Sequence, residues 1–195
     1  MTHWLLVLMA ALPVLGQEAP NPENMLPGCP DIVQRSEWMG LPSKCPKKSL
    51  NLPVEYVVIS HTAGSPCFSP AECEQQMRNI QAYHMNTLGW CDIAYNFLIG
   101  EDGLIYEGRG WSIIGAHTGP TWNPISLGIS FMGNFMERGP APRAIRAAQS
   151  LINCGKLHGV LTPQYMIKGH RDIQRTLSPG AKLYSNLQSW PHYHE

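Results

Sequence analysis

The feature that most restricts how this chain can fold is its set of six cysteines: Cys29, Cys45, Cys67, Cys73, Cys91 and Cys154. All of them lie beyond an apolar run from Trp4 to Leu15. That run is shorter than the roughly 20 residues a bilayer demands. It contains Pro13 and ends with Val14 and Gly16, small side chains where a leader peptidase needs them. Its start carries only the α-amino group and His3 as positive groups. A buried first helix is the alternative, but an internal proline costs a helix about 3 kcal/mol. The chain therefore reads as secreted and extracellular, storage in secretory granules included. The expected division is a signal peptide over 1–16, a flexible arm over 17–28 and one domain over 29–195. In that oxidising setting an even cysteine count implies a disulfide framework. Separation along the chain suggests one pair only, Cys67 with Cys73. No Cys-x-x-Cys spacing is present, which disfavours a zinc ribbon.

The 195 residues match a single domain of about 100–200 residues. Fourteen basic and fourteen acidic side chains cancel, so there is no cationic footprint for nucleic acid. At 44% hydrophobic residues, the chain has too much apolar material to remain disordered. A partner must be recognised by shape and local chemistry. The eight histidines could add charge below about pH 6.5, which predicts tighter binding to an anionic partner in acid.

Hydrophobic patterning predicts an α/β domain with a mixed central sheet and about three flanking helices. Tyr56 to Ser60 is a β-branched central strand. Asn96 to Ile99 and Leu104 to Glu107 flank a Gly-Glu-Asp-Gly turn and form a hairpin. Leu127 to Met132 and Tyr165 to Lys168 are further strands. Ser69-Pro70-Ala71-Glu72 has the form of a capping box and starts a helix whose stripe is Cys73, Met77, Ile80 and His84. A second helix starts near Pro142, ends at Gly155 and presents Ile145, Ala148 and Ile152. A third follows Ser178-Pro179, with Ser178 as its cap, and presents Leu183, Leu187 and Trp190.

Histidines stand where rigid scaffolds hold functional groups. His61 follows the first strand, His170 follows the last, and His117 lies in a glycine-rich connection. Two imidazoles leaving neighbouring strands could supply part of a zinc site, which needs three protein ligands and an open position to be catalytic. Strand-end histidines more commonly serve as surface or hydrogen-bonding residues.

Four segments carry a resemblance: Ser60-His61-Thr62-Ala63-Gly64, Gly89-Trp90-Cys91-Asp92-Ile93-Ala94-Tyr95-Asn96-Phe97, Tyr106-Glu107-Gly108-Arg109-Gly110-Trp111 and Gly169-His170-Arg171-Asp172. Their sequence and order resemble the peptidoglycan recognition proteins, most of all the short, secreted vertebrate members, over about Cys29 to Tyr193. The resemblance implies the disulfide-stabilised fold of zinc amidases that cut between muramic acid and the first L-alanine of the peptide stem. It also implies the pairs Cys29–Cys154, Cys45–Cys91 and Cys67–Cys73. In hydrolytic members the zinc ligands are two histidines and a cysteine, matching His61, His170 and position 178, and a tyrosine matching Tyr95 assists.

Position 178 here is serine. Zinc readily holds a thiol as thiolate, whereas an alcohol has neither its acidity nor its softness. The resemblance therefore implies no zinc, no cofactor and no hydrolysis, but a cleft that binds. By resemblance its lining falls on His61, Thr62, His84, Gly89, Trp90, Tyr95, His117, Asn123, His170 and Ser178. Its partners would be bacterial peptidoglycan and muramyl peptides, with Gly89-Trp90 favouring a diaminopimelate stem over a lysine stem. The implied role is antibacterial defence in innate immunity. A zinc amidase in which another group replaces the missing thiolate, and a signalling protein that binds host partners while its cleft is vestigial, are the competing readings. Tyr106 and Trp111 read as core aromatics, His84 could simply end a core helix, and Arg109 and Asp172 read as structural.

Overall fold

The computed structural model describes residues 26–195. The expected signal peptide over 1–16 and most of the expected arm lie outside them. Leu26 packs against the main core, and the Pro27 carbonyl meets Nε2 of His158 at 2.9 Å. The chain is therefore held from its first described residues, inside the stretch expected to be loose.

Six strands form one mixed sheet: β1 (Ile32–Val33), β2 (Val54–His61), β3 (Phe97–Ile99), β4 (Ile105–Glu107), β5 (Ser126–Phe131) and β6 (Leu161–Gly169). Their order is β1-β4-β3-β5-β2-β6, with every pair parallel except the β3–β4 hairpin. The helices are α1 (Pro70–Ala82), α2 (Pro142–Leu157), α3 (His170–Ile173) and α4 (Ala181–Leu187). The central strands β2 and β5 are almost wholly buried, as β-branched runs covered on both faces should be.

Alternation along the strands divides the core in two. Val57, Ile59, Phe97, Leu127, Ile129 and Ile167 face α2 and α4, meeting Ala148, Leu151, Leu183 and Leu187. On the opposite face, Leu98, Tyr106 and Met132 join Cys73 and Met77 of α1. Tyr106 and Trp111 are core aromatics, as read.

Three disulfides join Cys29 to Cys154, Cys45 to Cys91 and Cys67 to Cys73, the pairs that the resemblance implied. Among the described residues no helix is long and apolar enough to cross a membrane.

Three local expectations need correction. Ser69 does cap α1, accepting the Glu72 N–H, but the Glu72 carboxylate returns to the N–H of Phe68 at 2.8 Å rather than to that of Ser69. A short helix beyond the three expected, α3, forms directly after β6; Asp172 caps it by accepting the Gly169 N–H at 2.7 Å. Most consequentially, Ser178 does not cap a helix. The cap of α4 is Gly180, at φ 93°, and the Ser178 hydroxyl turns to the end of β2.

Candidate functional site

Parallel pairing fixes the first half of the site. β2 and β6 run side by side in the same direction, so their C-terminal ends deliver His61 and His170 to one edge of the sheet. This is the edge where open parallel sheets carry their ligands. The His61 N–H donates to Ser178 Oγ at 3.1 Å, and its ring Nδ1 accepts the Phe135 N–H at 3.2 Å. Ser178 thus holds the backbone of His61, and the Phe135 N–H holds its ring. Gly180 permits this approach: a Cβ there would meet the backbone carbonyl carbon of Phe135 at 2.5 Å and His61 Nδ1 at 2.9 Å. The His170 Nε2 pairs with Gln174 Oε1 at 2.7 Å. Thr62 Oγ1 accepts the Gly133 N–H at 3.0 Å, tying the residue after β2 to the segment after β5.

His117 lies deeper. Its ring packs on Gly115 and Gly128, where any Cβ would collide with it, and its Nδ1 contacts Thr118 Oγ1 at 2.7 Å. Asn123 positions the loop, its Oδ1 accepting the N–H groups of His117 and Thr118 at 3.0 and 2.8 Å. The Nε2 of His117 is buried without a partner.

The second half is aromatic. At the end of α1 the chain widens into a π-helical turn, Tyr83–Thr87, which swings His84 inward. There the imidazole stacks on Trp90 at 4.9 Å between centroids and meets Tyr95 edge-on at 5.7 Å. His84 Nδ1 accepts the Ala94 N–H at 3.2 Å, while the Ala94 carbonyl accepts the Ala116 N–H at 2.8 Å. That short relay puts the His84 group one residue from His117 and makes the two halves continuous. His84, Trp90 and Tyr95 meet directly, and Gly89 adjoins Trp90.

Trp90 remains 40% exposed, presenting an apolar ring to solvent. Its loop is fastened by the Cys45–Cys91 disulfide and by Asp92, whose Oδ1 takes Arg35 at 2.5 Å and Gln81 at 3.1 Å. Beside Gly89 and Trp90 opens a pocket of about 530 Å³ bordered by Lys47, Lys48 and Arg109 and by Asp92, whose carboxylate is paired with Arg35. Arg109 does make the expected structural bonds, to the carbonyls of Ile93 and Ile114. The meeting of Lys47, Lys48 and Arg109 beside Trp90 was not legible, because these residues come from segments far apart in the sequence. Asp172 is structural as read, accepting from the hydroxyls of Tyr184 and Tyr193.

Burial sets the charge state. Desolvation, aided by nearby cations, lowers the pKa values of His61 and His84 to about 4 and that of His117 to about 3. His170 is lowered too, chiefly by desolvation. The eight histidines were expected to add charge below about pH 6.5; at these four, burial works against that and holds each below the ordinary imidazole range. Burial likewise pushes the Tyr95 hydroxyl up.

Residues 50–181 match the family described as N-acetylmuramoyl-L-alanine amidase. The mouse protein named peptidoglycan recognition protein 1 is 65% identical over 167 residues, 86% of this chain and 91% of that one. Among solved structures, peptidoglycan recognition protein-LE in complex with tracheal cytotoxin (monomeric diaminopimelic acid-type peptidoglycan) superposes with a TM-score of 0.82 at 43% identity, covering 84% of this chain and 95% of that one. A human peptidoglycan recognition protein, PGRP-IBETAC in complex with glycosamyl muramyl pentapeptide, gives 0.82 at 47% identity, covering 86% and 100%. With its strand-end histidines, aromatic wall and amidase fold in place, the chain belongs to the peptidoglycan recognition proteins.

Proposed function

We propose that this is a secreted protein of antibacterial innate immunity that binds peptidoglycan through its muramyl peptide stem and does not hydrolyse it. The observation that carries the second half of this reading is the Ser178 hydroxyl, which accepts the His61 N–H at the place where hydrolytic relatives are expected to offer sulfur. His61 and His170 are neutral imidazoles able to ligate a metal, but a neutral alcohol does not complete a zinc set that can generate hydroxide near neutral pH. The donor set does not fit a catalytic zinc.

Binding is supported by the shape and chemistry of the cleft. Trp90, His84 and Tyr95 give apolar and ring surfaces to the sugar and lactyl groups, while the strand-end imidazoles of His61 and His170 can bond stem amides. The cationic pocket beside Gly89 and Trp90 suits a stem whose third residue carries an extra carboxylate, which favours diaminopimelate over lysine. One solved relative is bound to a diaminopimelic acid-type peptidoglycan fragment and another to a glycosamyl muramyl pentapeptide. Secretion is supported by the leader pattern of residues 1–16 and by six cysteines joined in three disulfides.

The test is calorimetry with two muramyl tripeptides that differ only in the third residue, alongside zinc analysis and a stem-release assay. Saturable binding, tighter for diaminopimelate, with neither stoichiometric zinc nor release, is the expected result. Chelator-sensitive release of stem peptide would overturn it in favour of a zinc amidase. Ser178→Cys should raise zinc affinity by orders of magnitude if His61 and His170 remain poised.

A further inference from the structure

A second cavity, of about 340 Å³, lies between α2, β6 and the C-terminal segment, and none of the cleft residues borders it. Its floor is apolar and aromatic: Ile152 from α2, Tyr165 and Ile167 from β6, and Trp190 after α4. These side chains point to the α2 and α4 face, whereas the aromatic half of the cleft is built beside α1 on the other. The volume falls within the range of small-molecule sites, about 300–1,000 Å³.

The wall has a built feature. His192 stacks on Tyr165 at 4.3 Å between centroids and 21° between planes. It does so from a left-handed backbone, φ 66°, which a non-glycine residue occupies only when its surroundings hold it there. Here the Ile167 N–H donates to the His192 carbonyl at 2.7 Å, and the His194 N–H returns to the Ile167 carbonyl at 3.1 Å. The chain end is clamped along β6, and the clamp fixes an aromatic ring at the mouth of the cavity. The Trp190 indole is fixed too, its Nε1 donating to Asn186 at 2.9 Å.

Polarity at the rim is one-sided. Lys156 is the charged side chain there, flanked by the amides of Gln149 and Asn153, and no Asp or Glu borders the cavity among the described residues. Lys156 is exposed on α2 at the edge of the opening.

We propose that this cavity is a binding site for a small planar aromatic carboxylate, its ring packed among Tyr165, Trp190 and His192 and its carboxylate bonded to Lys156. Offset and edge-on packing among three fixed rings favours a flat aromatic body over an alkyl chain. A lone cation with two amide donors, in the absence of carboxylates, selects an anion over a cation.

Indole-3-acetate is a suitable probe, titrated into the secreted, oxidised protein by calorimetry and by heteronuclear NMR. Saturable one-to-one binding is expected, with shifts at Tyr165, Trp190 and His192. Tryptamine, of opposite charge, should bind at least tenfold more weakly, as should octanoate, which lacks the ring. Lys156→Glu should weaken indole-3-acetate at least tenfold while leaving muramyl-peptide binding unchanged. Ile152→Phe, which narrows the cavity without touching charge, should also reduce binding, with folding verified by the NMR spectrum. Equal binding of tryptamine or octanoate, insensitivity to Lys156→Glu, shifts at Trp90 instead of Trp190, or no saturation below millimolar concentration would each overturn the proposal. Muramyl-peptide binding serves as the internal control, so failure of this site and failure of the cleft reading are separately visible.

Discussion

The two ends of the cleft are built by opposite strategies. At the His61–His170–Ser178 end, two histidines leave the ends of parallel strands, Ser178 joins them from the segment before α4, and the groups are mostly buried and hydrogen-bonded to backbone or neighbouring groups. At the His84–Trp90–Tyr95 end, the groups come from a helix terminus and a loop, meet through ring faces, and leave the indole open to solvent. The strand end is rigid because the sheet makes it so. The aromatic end must be fastened separately, by the Cys45–Cys91 bond and by Asp92. Precise polar geometry has been kept at the end where chemistry would occur in an amidase, while adhesive surface is concentrated at the other.

Acidification acts on both ends and should have the largest effect. Buried imidazoles with pKa values of about 4 do not take up protons that the unfolded chain accepts near 6.5. Stability is therefore complete above about pH 6.5 and falls as pH drops toward 4, by on the order of a few kcal/mol in total. Thermal melts across that range should show a steadily falling midpoint; a flat profile would mean that the histidines are not desolvated as described.

Trp90→Ala separates the ends. It should weaken muramyl-peptide binding at least tenfold, about 1.4 kcal/mol or more, and lower the melting temperature little, because the ring is 40% exposed. Calorimetry and a melt on the same sample check both halves. If the fold collapsed instead, the aromatic end would belong to the core and the contrast would fail.

Gly180→Ala attacks the other end. The added Cβ meets the Phe135 backbone and His61 Nδ1 from a positive φ, which should cost more than about 1 kcal/mol. Urea denaturation is the readout, and unchanged stability would show the packing around His61 to be slack. Ser178→Ala is the mildest change. It removes the acceptor of one buried N–H and should cost about 1 kcal/mol, detectable as a small fall in melting temperature with muramyl-peptide affinity altered less than by Trp90→Ala.

Much of this architecture was legible because it follows local rules. The β-branched run at Tyr56 to Ser60, the Gly-rich hairpin and the Ser-Pro start of α1 each state their conformation in a few residues. What was not legible depends on partners distant in sequence. The two residues of β1 form a strand only because β4 lies beside them. Ser178 has the local signature of a helix cap, yet its hydroxyl is claimed by a strand end 117 residues away. Gln81, a polar residue buried in α1, is explained by Leu41 and Asp92, neither of which the helical pattern could nominate. In the cleft, the residues were named by resemblance; their lowered pKa values came only with three-dimensional burial.

The Cys45–Cys91 bond has a consequence in time as well as in space. It closes the loop around Trp90 when the chain first oxidises, so the freedom that a mobile jaw would surrender on each encounter has already been given up. On the proposed reading, a muropeptide arriving at this end would meet a shape that does not have to be formed, and no closing of the protein would delay its capture.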